Sequence, residues 1–181
     1  MTLRNLFSFA ICCVMLASCS PTLSPFTQRM YDKYNWSEEE LKGIQFYLSH
    51  DIRLYRDIGK AESSISGGKI KVENGREIEE VIFKKGTPGV YYFSPKSQRL
   101  GISFDNGGGE KFLMFGPNEK LSGQYVLLAK DWERQVGTVT YDGQLFKTDA
   151  RSALASLMVD IKKINSSSYS TTVAKGRKVE N

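Results

Sequence analysis

From Ile70 to Phe146 the chain is a series of short apolar runs broken by turn-forming residues. No other feature constrains the fold as much. Ile70 and Val72 alternate with Lys69, Lys71 and Glu73, and Asn74-Gly75 follows. That dipeptide tolerates the left-handed conformations a two-residue hairpin turn demands. Val81-Ile82-Phe83 leads into Gly86-Thr87-Pro88-Gly89, a second turn. Val90-Tyr91-Tyr92-Phe93 is rich in β-formers. Ile102 and Phe104 alternate before Asp105-Asn106-Gly107-Gly108-Gly109, and Phe112-Leu113-Met114-Phe115 and Tyr125-Val126-Leu127-Leu128 come next. Val139 and Tyr141 then approach Asp142-Gly143, with Leu145 and Phe146 beyond. Strands at this spacing predict a mainly β domain, an antiparallel β-sandwich or a barrel-like one.

One N-terminal helix precedes the strands. Ser37-Glu38-Glu39-Glu40 is a capping box, with Trp36 placed to staple onto Leu41. The acidic residues suit the positive end of the helix dipole. Glu38 and Lys42 are spaced as an i,i+4 ion pair. Leu41, Ile44 and Leu48 line one helical face. The helix is expected to break at Ser49-His50-Asp51, after which Ile52 and Leu54 alternate as a strand. Residues 153–164 fit two patterns. Leu154, Leu157, Met158 and Ile161 suit a helix face, whereas Leu157, Val159 and Ile161 suit a strand, and the β-branched residues favour the strand.

The first residues read as a leader. Arg4 and the terminal amine carry the positive charge, and an apolar stretch runs from Leu6 to Ala17, interrupted by Ser8. It is well short of the ~20 apolar residues a spanning helix needs. Leu16-Ala17-Ser18-Cys19 closes it. These residues resemble the lipobox of bacterial lipoproteins. The resemblance implies cleavage before Cys19 and acyl chains on that residue, and it covers the leader and Cys19 alone. Several chains at ~0.8 kcal/mol per buried methylene make such anchoring stable. Ser20 follows, where an inner-membrane retention signal often has Asp, so the resemblance implies the outer membrane and a periplasm-facing domain.

The reading divides the chain into a signal peptide (1–18), a lipidated tether (19–35), a mainly β domain with its helix (36–165) and a polar, basic tail (166–181). Removing 18 residues from 181 leaves 163, enough for one core. Arg4 leaves with the leader, so 24 basic residues face 20 acidic ones, a net charge of +4. Cys12 and Cys13 leave too, and Cys19 is consumed by lipid. The mature domain then has no thiol for a disulfide, a zinc site or nucleophilic attack.

Candidate chemistry is sparse. Ser49, His50 and Asp51 suggest a triad, but triad members must converge, and strand neighbours point to opposite faces. Gly107-Gly108-Gly109-Glu110-Lys111 lacks the Ser or Thr and the helix that a phosphate loop requires after its Lys. Asp105-Asn106-Gly107 does not match a calcium loop. Tyr91, Tyr92, Phe93, Phe112 and Phe115 are divided between core and surface by alternation. Two or three on one outer face make a platform for sugar rings or a protein partner. In the tail, Lys175, Arg177 and Lys178 suit an anionic surface, and the flanking Val173 and Val179 suit strand addition to a partner sheet. No internal repeat is present.

These features predict a non-catalytic binding or assembly module of the cell envelope. It has no catalytic, metal or cofactor residue; its one assigned position is the lipid attachment at Cys19. Its partners are the membrane and an envelope protein, not nucleic acid. A glycan- or lipid-binding protein using an aromatic strand face is the alternative, and a carboxylate-dependent hydrolase stands behind both, because paired carboxylates leave no sequence signature.

Overall fold

The structure is a computed structural model; it describes residues 22–58, 69–73, 76–96, 98–107 and 110–167. In chain order the elements are β1 (Leu23–Pro25), α1 (Gln28–Tyr34), α2 (Glu38–Lys42), β2 (Gln45–Leu48), β3 (Ile52–Asp57), β4 (Lys69–Glu73), β5 (Arg76–Phe83), β6 (Pro88–Phe93) and β7 (Leu100–Ser103). There follow β8 (Leu113–Asn118), β9 (Gln124–Leu127), β10 (Lys130–Glu133), β11 (Val136–Tyr141), β12 (Gln144–Asp149), β13 (Leu157–Asp160) and α3 (Ile161–Ser167).

The strands form two antiparallel sheets. A seven-stranded sheet runs β1-β13-β2-β6-β7-β8-β9, and a six-stranded sheet runs β10-β11-β12-β3-β5-β4. They pack as a sandwich-like fold, not a closed barrel. The larger sheet curls, so that β9 is tied back to the segments after β1 and before β13: Tyr125 N donates to the Phe26 carbonyl (3.0 Å) and Leu127 N to the Ala155 carbonyl (3.1 Å). Alternation sets the core. In β2, Phe46 and Leu48 point inward and Gln45 and Tyr47 outward; in β3, Ile52 and Leu54 are buried. Phe26 lies at the centre, fully buried, its ring edge-on to Phe46 (5.3 Å) and to Tyr125 (4.9 Å).

Of the expected turns, Asp142-Gly143 is where the pattern placed it, whereas the second lies earlier, at Lys85-Gly86, because Pro88 and Gly89 of Gly86-Thr87-Pro88-Gly89 open β6. Glu73 pairs with Arg76 across the Asn74-Gly75 position, which itself lies outside the described residues. Tyr141 pairs with Gln144 around Asp142 and Gly143, whose φ values of 51° and 69° are the left-handed pair that a tight hairpin requires.

The helical reading needs correction. The capping box is present, with Ser37 Oγ accepting from Glu40 N and Glu40 Oε2 accepting from Ser37 N at 2.8 Å. The helix, however, ends at Lys42. Ile44 and Leu48 share no helical face with Leu41, because Gln45–Leu48 is drawn into a strand between β13 and β6. Lys42 pairs with Glu39 at 2.8 Å, three residues back, not primarily with Glu38. Trp36 stacks on Tyr34 (4.7 Å) and Phe26 (5.6 Å), extending an aromatic column into the core.

The described part of the expected tether is folded. Leu23–Pro25 pairs with β13, and a helix capped by Thr27 follows at Gln28–Tyr34. The fold therefore has helices at both ends of the domain, not one at its start. Residues 153–164 divide: β13 is the strand, while Ile161 to Ser167 forms α3, which buries Ile164.

Candidate binding groove

Cys19 and the tail residues Lys175, Arg177 and Lys178 lie outside the described residues. Among the described residues no helix is long and apolar enough to cross a membrane, and no group of three or more His, Cys, Asp or Glu side chains is placed to hold a metal.

Ser49 and His50 do meet, Oγ to Nδ1 at 2.8 Å. Ser49 Oγ also accepts from the Ser156 backbone N (2.8 Å) and Oγ (2.9 Å). Asp51 turns elsewhere. Its carboxylate accepts from the Lys85 backbone N–H (2.7 Å) and Lys84 Nζ (2.9 Å), which hold it below the usual aspartate range. The third triad member is thus engaged with the loop after β5, and the serine is a tie between β2 and the segment before β13.

The glycine-rich loop is likewise structural where it is described. Asp105 Oδ1 accepts from Gly107 N at 3.0 Å, closing an Asx turn. Lys111 Nζ lies 3.5 Å from Asp105 Oδ2 and 4.0 Å from Asp142 Oδ2, and Tyr141 donates its hydroxyl to Asp105 at 3.3 Å. The only lysine of the motif is therefore committed to carboxylates. The Gly107 hydrogen bond, then the Lys111 charge, lowers the Asp105 pKa, and burial raises that of Tyr141.

The aromatic residues divide as alternation requires. Tyr91 and Phe115 are buried, whereas Tyr92, Phe93 and Phe112 stand together on the outer face of the larger sheet. Tyr92 stacks on Phe112 (5.7 Å, 20°), and Phe93 meets Phe112 edge-on at 4.8 Å. Gly101 makes this possible, because a Cβ there would lie 2.7 Å from the Phe93 ring.

Phe112 also lines a groove that sequence reasoning did not anticipate. One hollow, of about 290 Å³, is lined by Phe112, Met114 and Leu128, by Val139 of β11, and by the cations Arg99 and Lys130. A second, of about 470 Å³, continues from Leu128 and Ala129 past Pro117 and Lys120 to Trp132. The two share Leu128 and Ala129 as a common floor. Gly137 leaves room for Trp132, since a Cβ would come within 3.0 Å of its ring. Asp131 and Arg134, at φ of 52° and 55°, bend β10 so that all four of its residues stay exposed. The result is an open trough lined by Phe112 in one hollow and Trp132 in the other, by apolar side chains and by three cations. Glu119 is the one carboxylate of its lining. Such a lining suits ligand binding; a carboxylate-pair mechanism would need a second acid beside Glu119.

The only local signal for this site is Trp132 itself, a large aromatic alone in the charged run Lys130-Asp131-Trp132-Glu133-Arg134. Comparison of the chain with protein-family models, with curated proteins and with solved structures finds no match.

Proposed function

We propose that this chain is a non-catalytic binding or assembly module of the bacterial cell envelope, held at the outer membrane by lipid on Cys19 and facing the periplasm. The observation that carries the reading is the trough in which two hollows share Leu128 and Ala129, with Phe112 lining one, Trp132 the other, and Arg99, Lys120 and Lys130 around them. Apolar floor, aromatic anchors and a cationic rim are the features that recognise a protein segment carrying acidic and apolar side chains.

A photo-crosslinking residue at Leu128, introduced into the full chain in cells, tests the proposal. The expected result is a discrete adduct with an envelope protein that disappears in Trp132→Ala/Lys130→Glu. The same residue placed at Leu145, on the opposite sheet, should give none. Identical adducts from Leu128 and Leu145, insensitive to the double substitution, would overturn the reading.

The stacked Tyr92, Phe93 and Phe112 favour a second reading, a glycan or lipid ligand lying across their rings. Under that reading Tyr92→Ala abolishes retention on purified peptidoglycan and Trp132→Ala leaves it unchanged.

A further inference from the structure

The two outer faces of the sandwich differ in character. That of the smaller sheet is laced with ion pairs, Arg53 with Glu80 and Lys147 with Asp57 at 3.7 Å, around the exposed Ile82 and Leu145. That of the larger sheet, along its first four strands, is mostly apolar around Asp160 and Gln45. Register makes this plain. Leu23 pairs with Asp160, and Gln45 with Val90, so these residues share one outward row across β1, β13, β2 and β6. The row below holds Pro25, Met158, Tyr47 and Pro88. Residues paired across a sheet project to the same side. Val90 and Tyr92 are each about half exposed, at 50% and 51%.

We propose that this face, carrying Leu23, Pro25, Met158, Tyr47, Val90 and Tyr92, rests on the phospholipid surface. The inference builds on the lipid anchor of the proposed function. If Cys19 is acylated, Leu23 follows it by four residues, a reach of at most about 14 Å even for extended chain. Leu23 is itself in the outward row, on the edge strand of the apolar face. The other outer face lies about 10 Å further off across the core. The tether thus leaves from the larger sheet, whose outer face is the nearer one to the bilayer. Tyrosines such as Tyr47 and Tyr92 suit the headgroup boundary, where a ring is half in hydrocarbon and its hydroxyl is wet. Lys162 and Lys163, exposed just after Asp160, place positive charge beside the row where anionic headgroups would meet it.

Fluorescence of single-cysteine variants tests the placement. With Cys19 acylated and the leader removed, an introduced cysteine is the only free thiol. Val90→Cys and, as control, Leu145→Cys, an apolar position that is more exposed still, are labelled with an environment-sensitive dye in the full lipidated protein. Each is then reconstituted into phosphatidylethanolamine–phosphatidylglycerol vesicles with or without brominated acyl chains. The expected result is a blue-shifted emission at position 90, quenched several-fold more by brominated lipid than at position 145. Tyr92→Cys should behave like Val90→Cys and guards against a local packing defect. Equal quenching at 90 and 145 in protein that floats with the vesicles would overturn the proposal while leaving the anchor intact. Position 90 shielded from aqueous iodide yet untouched by brominated lipid would also overturn it and assign the face to a second copy or a protein partner. Protein that fails to float at all would remove the anchor, and the orientation with it.

Discussion

Arg56 of β3 and Glu79 of β5 face each other across the inner side of the smaller sheet, Nε to Oε2 at 2.6 Å, with the Glu79 side chain only 4% exposed. They occupy the next inward positions after Ile52 opposite Phe83 and Leu54 opposite Val81. The guanidinium also lies over the Phe146 ring, 5.6 Å from its centre. An ion pair therefore closes one end of an otherwise apolar row. Removing Glu79 leaves the partly buried Arg56 guanidinium without this carboxylate. Glu79→Ala should lower the unfolding free energy by about 3 kcal/mol, read from the urea midpoint at unchanged slope. The double variant Arg56→Met/Glu79→Leu should recover most of that loss. A double variant as unstable as the single one would show that the pair is net stabilising and not merely self-compensating.

The acid limb of stability should report on Asp105. Its carboxyl accepts from Gly107 N and lies near Lys111 and Tyr141, which together hold its pKa below the usual aspartate range. A group with a lowered folded-state pKa stabilises above its unfolded value and loses that contribution as pH falls through the folded one. Stability should therefore fall as the pH drops below the ordinary aspartate range and this carboxylate protonates. Asp105→Asn should flatten that part of a melting-temperature profile and leave the curve above pH 6 parallel to the parent. An acid limb of unaltered slope in Asp105→Asn would assign the loss to other carboxylates.

The parts of the fold legible in the sequence are those settled by neighbours in the chain. The Ser37–Glu40 capping box and the Asp142-Gly143 turn depend on a few consecutive residues, and both are present. The end of the first helix depends on more. Leu41, Ile44 and Leu48 fit a helical stripe, and Phe46 and Leu48 fit an alternating strand equally well. What decides is pairing with β13, more than a hundred residues away in sequence, and with β6. In β1, the short Leu23-Ser24-Pro25 with its proline carries the composition of a linker. It is a strand because β13 offers an edge, where a missing N–H costs little. The trough had no signature for a similar reason. Phe112, Leu128, Trp132 and Val139 come from separate elements, and only the bend at Asp131 and Arg134 brings them to one opening.

Ser49 and His50 separate a structural role from a catalytic one. Ser49 Oγ is the acceptor for two donors of Ser156, itself 3% exposed, whereas His50 lies at the surface. Ser49→Ala leaves the buried donors without a partner and should cost about 1–3 kcal/mol in chemical denaturation. His50→Ala removes an exposed ring and should shift stability by less than about 0.5 kcal/mol. It should leave crosslinking from Leu128 unchanged. A loss of adduct in folded His50→Ala would place the Ser–His contact in function.

Phe26 decides whether the folded domain begins before the capping box. The ring is fully buried, packs edge-on against Phe46 and Tyr125 and stacks on Trp36 at 5.6 Å. Its backbone N donates to the Leu157 carbonyl at 2.8 Å, and its carbonyl accepts from Tyr125 N at 3.0 Å. The residue thus joins β13 to β9 through both backbone and side chain. Phe26→Ala would leave a void bounded by three aromatic rings and should cost about 3–5 kcal/mol. Thr22→Ala, exposed just ahead of β1, should fall within about 0.5 kcal/mol of the parent. Thermal melts of the two variants supply the comparison. If this stretch were only a tether, both substitutions would be silent, so an unshifted midpoint in Phe26→Ala would return residues 22–35 to the linker and detach β1 from the larger sheet.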